Sequence, residues 1–381
     1  MSDVEVIPVS SDTDLKEFID FPWQIYTGDN KWAPPLKREV RHLLDTRRHP
    51  FWKFSHQALF LARRGPIVVG RIAGIIDENH NRYHNEKAAA WGFFEVRDDL
   101  DAASALFSAV EQWAASQGAT FLRGPLNPST NYDCGLLVEG FEHAPVIMMP
   151  YNPPYYVSLV ESCGFQKEKD LLSFLEISKT NRGSPRMARL ADRIKRRTDI
   201  RIRRGIKKKF ESEMALIGDI YSSAWSENWG FVPMTPEEMR QAGKNLARII
   251  DEDLVVFLYY REEPVAVIMM LPDINPLLRR LKGKIGLRGL YHIMFHKNEV
   301  KGVRGVLFGV KKPYQKLGLP VVAFDHMDRV LRGEKQYEYL EYGWTLEDNY
   351  SINQFVIETG AVVHNRYRIY RRSMNEAGES N

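Results

Sequence analysis

Val310-Lys311-Lys312-Pro313-Tyr314-Gln315-Lys316-Leu317-Gly318-Leu319-Pro320 is the stretch on which the fold turns. The apolar run Gly302–Val310 reads as a strand leading into it, and residues 320–332 read as a helix leading out. A strand–loop–helix passage with an internal glycine aims several backbone N–H groups at one anion. The helix N-terminus then adds its partial positive charge. Lys311, Lys312 and Lys316 surround the turn. The stretch is therefore a candidate phosphate cradle. Val310, Lys311, Gln315, Lys316, Leu317, Gly318 and Leu319 are its candidate cofactor-binding residues. An ordinary strand-to-helix turn is the plainer alternative.

Outward from the cradle, the second half of the 381 residues follows one plan. Residues 210–225 read as a helix. Residues 254–260 and 265–271 flank Arg261-Glu262-Glu263-Pro264 as a hairpin. Residues 337–342 read as a strand, 349–358 as a helix closed by Gly360, and 367–372 as a last strand. The first half keeps the same order. A strand at 4–9 precedes a helix capped by Ser11 or Asp12. A hairpin at 58–62 and 68–76 and a strand at 88–96 follow. Next come a helix at 101–116 closed by Gly118, a strand at 120–123, a helix at 155–162 closed by Gly164, and a strand at 171–177. The shared order implies duplication. The expected fold class is α/β with mixed sheets, as two tandem domains at 1–180 and 186–381. Thr180, Asn181, Gly183 and Ser184 supply linker chemistry at the boundary.

Composition narrows the function classes. Hydrophobic residues make up 44% and aromatics 12%, enough to fill two cores. No apolar run is long enough to span a bilayer, and the acidic start Met1-Ser2-Asp3-Val4-Glu5 does not read as a signal peptide. Two cysteines, Cys134 and Cys163, suggest no disulfide framework. A cytoplasmic protein is expected, with peripheral attachment at the inner face of the membrane left open. The net charge is only +4 but is clustered. Residues 186–209 are rich in Arg and Lys against Asp192 and Asp199. Residues 279–304 are basic against Glu299 alone. Such runs are solvated faces or landing surfaces for phosphates.

The cradle resembles the pyrophosphate loop of the GCN5-related N-acetyltransferase (GNAT) superfamily, which reads Gln or Arg, two residues, Gly, one residue, then Gly or Ala. Gln315 and Gly318 match it. The family's next helix often opens with Asn and is followed eleven residues later by Gly; Asn349 and Gly360 have that spacing, so Asn349 joins the cofactor-binding set. The resemblance covers residues 210–372, and more weakly the first half. It implies acyl-CoA as co-substrate, an amine acceptor and no permanently bound cofactor. Two positions depart from the pattern. Pro320 stands at the last small position of the loop and has no N–H to give. Val356 stands where the family often has its general-acid tyrosine, so that role does not transfer. Tyr342 and Tyr350 are nearby substitutes. Residues 97–101 of the first half, Arg97-Asp98-Asp99-Leu100-Asp101, carry three carboxylates that would repel a pyrophosphate, so this half should bind no CoA.

A long loop of the first half, running through Asn127, Asn131, Asp133, Cys134, Tyr151, Asn152 and Tyr155, is dense in proline, amide and tyrosine. It is a candidate acceptor pocket, with Asn127, Asn131, Tyr151, Asn152 and Tyr155 as substrate-binding residues. A connector capping its own backbone is the alternative. Cys134 lacks a diagnostic His, so an inert buried thiol is expected. No histidine spacing suggests a metal. Glu341, on a strand at the cleft, is the first candidate for general base and Asp133 the second; Tyr342 completes the candidate catalytic set. Residues 275–304 interleave aliphatic side chains with eight Lys or Arg, a pattern that suits an anionic membrane surface.

The whole pattern is similar to bacterial acyltransferases that N-acylate a long-chain amino alcohol in ceramide synthesis. Two rival readings remain at this stage. One is a Fem-like transferase with an RNA-borne donor, in which residues 186–209 would meet RNA phosphates. The other is an inactive acyl-CoA-binding protein.

Overall fold

The computed structural model describes residues 3–178, 185–286, 291, 295–335 and 337–374. The chain packs as two units. The first holds Met1–Leu171, Asn275–Lys297 and Asn365–Asn381; the second holds Leu172–Ile274 and Asn298–His364. This division differs from a single cut between residues 180 and 186. The linker residues 179–184 lie outside the described residues.

In the first unit, β1 (Val4–Pro8), β2 (Ser55–Arg64), β3 (Ile67–Asp77) and β4 (Ala88–Val96) pair antiparallel in order. β5 (Phe121–Gly124) joins β4 in parallel. β6 (Leu126–Asn127) and β7 (Asp133–Cys134) form a small separate pair, and β8 (Leu136–Glu139) follows them. Helix α1 (Asp12–Asp20) begins at Ser11, whose side chain caps it in a reciprocal box with Asp14. α2 (Pro22–Ile25), α3 (Lys37–Leu43), α4 (Glu78–His84), α5 (Leu100–Ser116) and α6 (Tyr155–Ser162) complete this stretch. Trp91, Phe94, Phe107 and Phe165 meet at ring distances of 4.6–5.7 Å in its core. Each such buried ring contributes about 1.5–3 kcal/mol.

The last strand of each half is exchanged. β9 (Gln166–Ile177) ends the first half, yet residues 172–177 belong to the second unit.

The second unit begins its own elements with α7 (Pro185–Arg197), β10 (Ile200–Arg204), α8 (Phe210–Trp225) and α9 (Pro236–Leu246). β11 (Val255–Tyr260), β12 (Glu263–Pro272) and β13 (Gly302–Val310) run antiparallel, with β10 as the far edge. Between β12 and β13 the chain returns to the first unit for α10 (Asn275–Leu281), where Leu277 and Leu281 are buried. These aliphatic residues of the 275–304 insertion therefore fill a core. Leu287, Leu290, Ile293 and Met294 of that insertion lie outside the described residues. α11 (Leu319–Arg329) then leads to β14 (Tyr339–Leu346), parallel to β13, and to α12 (Tyr350–Glu358). β15 (Val362–Ser373) ends the chain, and its residues 365–373 pair with β5 and β8 of the first unit. Residues 172–177 of β9 lie beside β14.

Alternation along β13 assigns its two faces. The Phe308 ring meets Phe324 of α11 at 5.4 Å, whereas Gly309 backs onto Ile220 and Ala224 of α8. Helices thus cover both faces of the second unit's strands at β13.

Candidate functional site

β13 and β14 stay paired only from Gly302–Tyr339 to Gly305–Tyr342, and then splay. At the same level β13 carries an extra residue, Val306, because Met269 faces Leu307 while Met270 faces Gly305. A bulge of this kind bends the strand and re-aims its groups. The Lys311 N–H donates to the Val265 carbonyl at 2.8 Å, which sets the alternation of the ladder. By that alternation the N–H groups of Phe308 and Val310 turn away from β12 and into the gap. The gap is a cavity of about 510 Å³. Ile268, Met270, Leu307, Phe324, Ile352 and Phe355 supply its apolar walls.

The cradle lies at the cavity's mouth. Lys312–Leu317 form a short 3-10 helix, and Gly318 follows in the left-handed conformation at φ 72°. Gln315 and Asn349 both line the cavity, and no hydrogen bond from the Asn349 side chain caps α12. Val310 also lines it, while Leu319 is buried beneath the turn. The Gln315 amide reaches the Val310 carbonyl at 3.4 Å. Lys311 is held by Asp219 at 2.8 Å and Glu263 at 3.4 Å, and Lys312 by Glu227 at 2.6 Å. Lys316 is exposed, and no carboxylate among the described residues pairs with it. Of the three lysines it is the one with its charge uncommitted. Gly318 is required twice over: its φ is left-handed, and an added Cβ would lie 2.7 Å from Ile194 Cδ1. Gly318→Ala is expected to cost about 1–3 kcal/mol, read as a lower urea midpoint. An unchanged midpoint would refute the strain.

Glu341 is 1% exposed and lies on the face of β14 opposite α11. It does not line the cavity, but Gly343, two residues on and on the same face, does. The Ser173 hydroxyl, from β9, donates to Glu341 Oε1 at 2.5 Å. Arg304 is the direct cross-strand partner of Glu341, and its guanidinium donates to the Gly343 carbonyl at 3.0 and 3.1 Å. Burial pushes the Glu341 carboxyl up to about 7, against the downward pull of the Ser173 hydrogen bond and the Arg304 charge. A carboxyl that burial raises toward neutrality, two residues along the strand from the cavity-lining Gly343, is a candidate general base.

Tyr342 sends its ring to the cavity wall, stacked on Phe324 at 5.7 Å, and its hydroxyl to Glu176 at 2.9 Å. Burial, then the Glu176 charge, holds its pKa well above the ordinary value. Val356 is buried in the cavity wall and offers no proton.

The first unit repeats the architecture with the gap filled. β4 bulges at Phe93, since Gly92 faces Ala73 and Glu95 faces Arg71. Aligning the two bulges makes Gly92 the counterpart of Gly305, and Trp91 that of Arg304. The parallel registers then make Gly124 the counterpart of Glu341. A Cβ on Gly124 would lie 2.3 Å from the Trp91 carbonyl oxygen, so no carboxylate fits there. The strand amides are already taken: Phe93 N–H donates to Asn127 Oδ1 at 2.6 Å, and Val96 N–H to the Tyr156 hydroxyl at 2.9 Å. Asp99 caps α5 and binds Arg64.

The expected acceptor residues are also largely occupied. Asn152 is buried and clamps Leu137 through its N–H (2.7 Å) and its carbonyl (3.2 Å). Tyr151 donates to Asp29 at 2.9 Å and Tyr155 to the Val96 carbonyl at 2.9 Å. Asn131 is half-buried, with its N–H directed to Ser129 Oγ at 3.3 Å. Asp133 is exposed on β7, in the first unit, whereas Glu341 and Tyr342 belong to the second. Cys134 is fully buried, and burial raises the Cys163 thiol. Among the described residues no group of three or more His, Cys, Asp or Glu converges as a metal cluster, and no helix is long and apolar enough to cross a membrane. Sequence reasoning missed Ser173 and Arg304. The signal for Arg304 was present as a lone charge inside an apolar strand; Ser173 needed the strand exchange.

No protein-family model matches the chain. It is 32% identical over 372 residues to protein YghO of Escherichia coli K12, covering 95% of this chain and 93% of that protein. It is also 32% identical over 382 residues to the bacterial ceramide synthase of Caulobacter vibrioides, covering 98% of each. Among solved structures, a tandem GNAT protein from the clavulanic acid biosynthesis pathway superposes with TM-score 0.57 at 12% identity, over 100% of both chains. A probable N-acyltransferase from Enterococcus faecalis V583 gives 0.53 at 9% identity, over 98% of this chain and 73% of that one.

Proposed function

We propose, for a chain that belongs to the tandem-domain GNAT family together with YghO and the bacterial ceramide synthase, that it is an acyl-CoA-dependent N-acyltransferase acting on a long-chain amino alcohol. One observation carries the reading. The second unit has an open splay with a bulge that turns amides into it and a cradle at its mouth, and a buried carboxyl pushed up to about 7 stands two residues along β14 from its lining residue Gly343. The relative named ceramide synthase supports the choice of acceptor. The cavity's apolar walls suit a fatty acyl chain.

In this reading the CoA pyrophosphate lies on Gln315–Leu319 and the pantetheine arm runs into the splay. The Phe308 and Val310 amides polarise the thioester carbonyl, and the negative charge developing on its oxygen is what they stabilise. The amine approaches from the face that carries Glu341. Glu341 accepts one proton from the ammonium form of the amine, the freed nitrogen lone pair bonds to the carbonyl carbon, and the C–S bond breaks with its electrons on sulfur while the second nitrogen proton passes to solvent. Thiols ionise at about 8.5, so CoA can leave as a thiolate without a dedicated acid. Ser173 and Arg304 act as positioning residues for Glu341.

Incubation with palmitoyl-CoA and sphinganine, read by mass spectrometry, is expected to yield the N-acyl product. Turnover of short water-soluble amines alone would sink the choice of acceptor. The first unit, with its strand amides occupied, takes no CoA in this reading. Calorimetry is expected to give one CoA per chain, and two would refute that assignment.

A further inference from the structure

We infer that the outward face of α7 is a docking surface for an anionic lipid bilayer. The observation is a set of uncompensated charges. At 3.6 residues per turn, Arg186, Arg189, Arg193, Arg196 and Arg197 fall within an arc of roughly 120°. All five are exposed, and no carboxylate among the described residues pairs with any of them. Several arginines elsewhere are tied down: Arg64 to Asp99, Arg332 to Glu176 and Arg368 to Asp170. On α7 itself the one acid, Asp192, is engaged by Arg329 at 3.7 Å, and Lys195 is engaged by Asp325. The helix thus spends its counter-charges on α11 and leaves five guanidinium groups facing water. Five like charges on one stripe repel one another, and that repulsion is relieved when an anionic surface supplies the counter-charge.

The helix does not need this face for folding. Met187, Ala191 and Ile194 point the other way, and Ala191 is fully buried. Leu190, 41% exposed, stands at the margin of the stripe, where an apolar side chain can enter the headgroup zone. No aromatic residue lies anywhere on α7 to stack on a base. That composition favours lipid headgroups over single-stranded RNA. The surface also suits an enzyme whose acceptor is a membrane amphiphile, and to that extent it rests on the proposed function.

The test is co-sedimentation with vesicles of phosphatidylglycerol and phosphatidylcholine, against phosphatidylcholine alone. The wild-type protein is compared with the triple variant Arg186→Gln/Arg189→Gln/Arg193→Gln, its fold verified by circular dichroism. The wild type should bind the anionic vesicles at low salt and lose them at high salt. The variant should bind at least tenfold more weakly, with unchanged turnover of acceptor presented in detergent micelles. Equal binding by both proteins, or binding by neither, overturns the inference. So does tighter binding of single-stranded RNA than of vesicles through the same arginines. Acylation in micelles without vesicle binding sinks the surface and leaves the function standing. Vesicle binding without acylation supports the surface and sinks only the function.

Discussion

Glu341→Gln is expected to leave acyl-CoA binding intact and to lower kcat/KM for the amine about 10²–10⁴-fold, the usual loss on removing a general base. The substitution keeps the size of the side chain and its hydrogen bond with Ser173, so a folding failure is not expected. The pH profile separates this role from a structural one. Burial raises the Glu341 carboxyl to about 7 and only the ionised form accepts a proton, so wild-type kcat/KM should fall as pH drops through about 7. In Ser173→Ala the hydrogen bond that favours the charged form is gone. The carboxyl then titrates higher still, and the acid limb should move to higher pH with the plateau retained. In Glu341→Gln that limb should vanish. The residual rate should climb with pH toward the amine's own pKa, about 10. A wild-type profile with no limb near neutrality, or a Glu341→Gln variant of full activity, would remove Glu341 from the mechanism.

What the sequence could reveal here follows from the range of the forces involved. The hairpins, the cradle and the helix ends at Gly118, Gly164 and Gly360 depend on neighbours a few residues away, and they lie where local chemistry puts them. Ser11 as a cap is of the same kind. β10 was hidden because Ile200 and Ile202 alternate with arginines, so the segment reads as a charge run although its pattern is that of an edge strand. The exchange of β9 and β15 was not legible at all. A strand's partner is chosen by cross-strand packing at long sequence separation, and nothing within residues 166–177 names β14. The same limit governs the site. Glu341 could be picked as a carboxylate on the right strand, but Arg304 and Ser173 become its neighbours only through register. The loop amides misled for a physical reason. Asn127 and Asn152 have the chemistry of a pocket, and the backbone of their own unit consumes it.

Arg123→Met is expected to be the most destabilising single change in the first unit, at about 3–5 kcal/mol, the range found when one partner of a buried ion pair is removed. Arg123 is 5% exposed on β5, next to Gly124, the counterpart of Glu341 in this unit. Its guanidinium donates to Glu86 at 2.7 Å and to Glu168 at 2.7 and 2.8 Å. Methionine keeps much of the volume and, among the described residues, leaves Glu168 with only Arg371, at 3.9 Å, and Glu86 with only His80, at 3.0 Å. The pH dependence gives the sign. Burial disfavours the charged form of Glu86, but the Arg123 hydrogen bonds and charge outweigh it and hold the carboxyl at about 2, below its unfolded value. A depressed carboxylate stabilises the fold above its unfolded pKa of about 4.3, and the contribution is lost as pH falls toward the folded value. Wild-type stability should therefore decline between about pH 4.5 and 2 partly through this group. In Arg123→Met the carboxyl loses its cation and that share of the acid slope disappears. The stability lost at neutral pH should be partly recovered in Arg123→Met/Glu86→Gln/Glu168→Gln, which removes the stranded charges. Urea unfolding at pH 7 and pH 4 measures all three proteins. A single variant as stable as the wild type at pH 7 would show that Arg123 merely fills space.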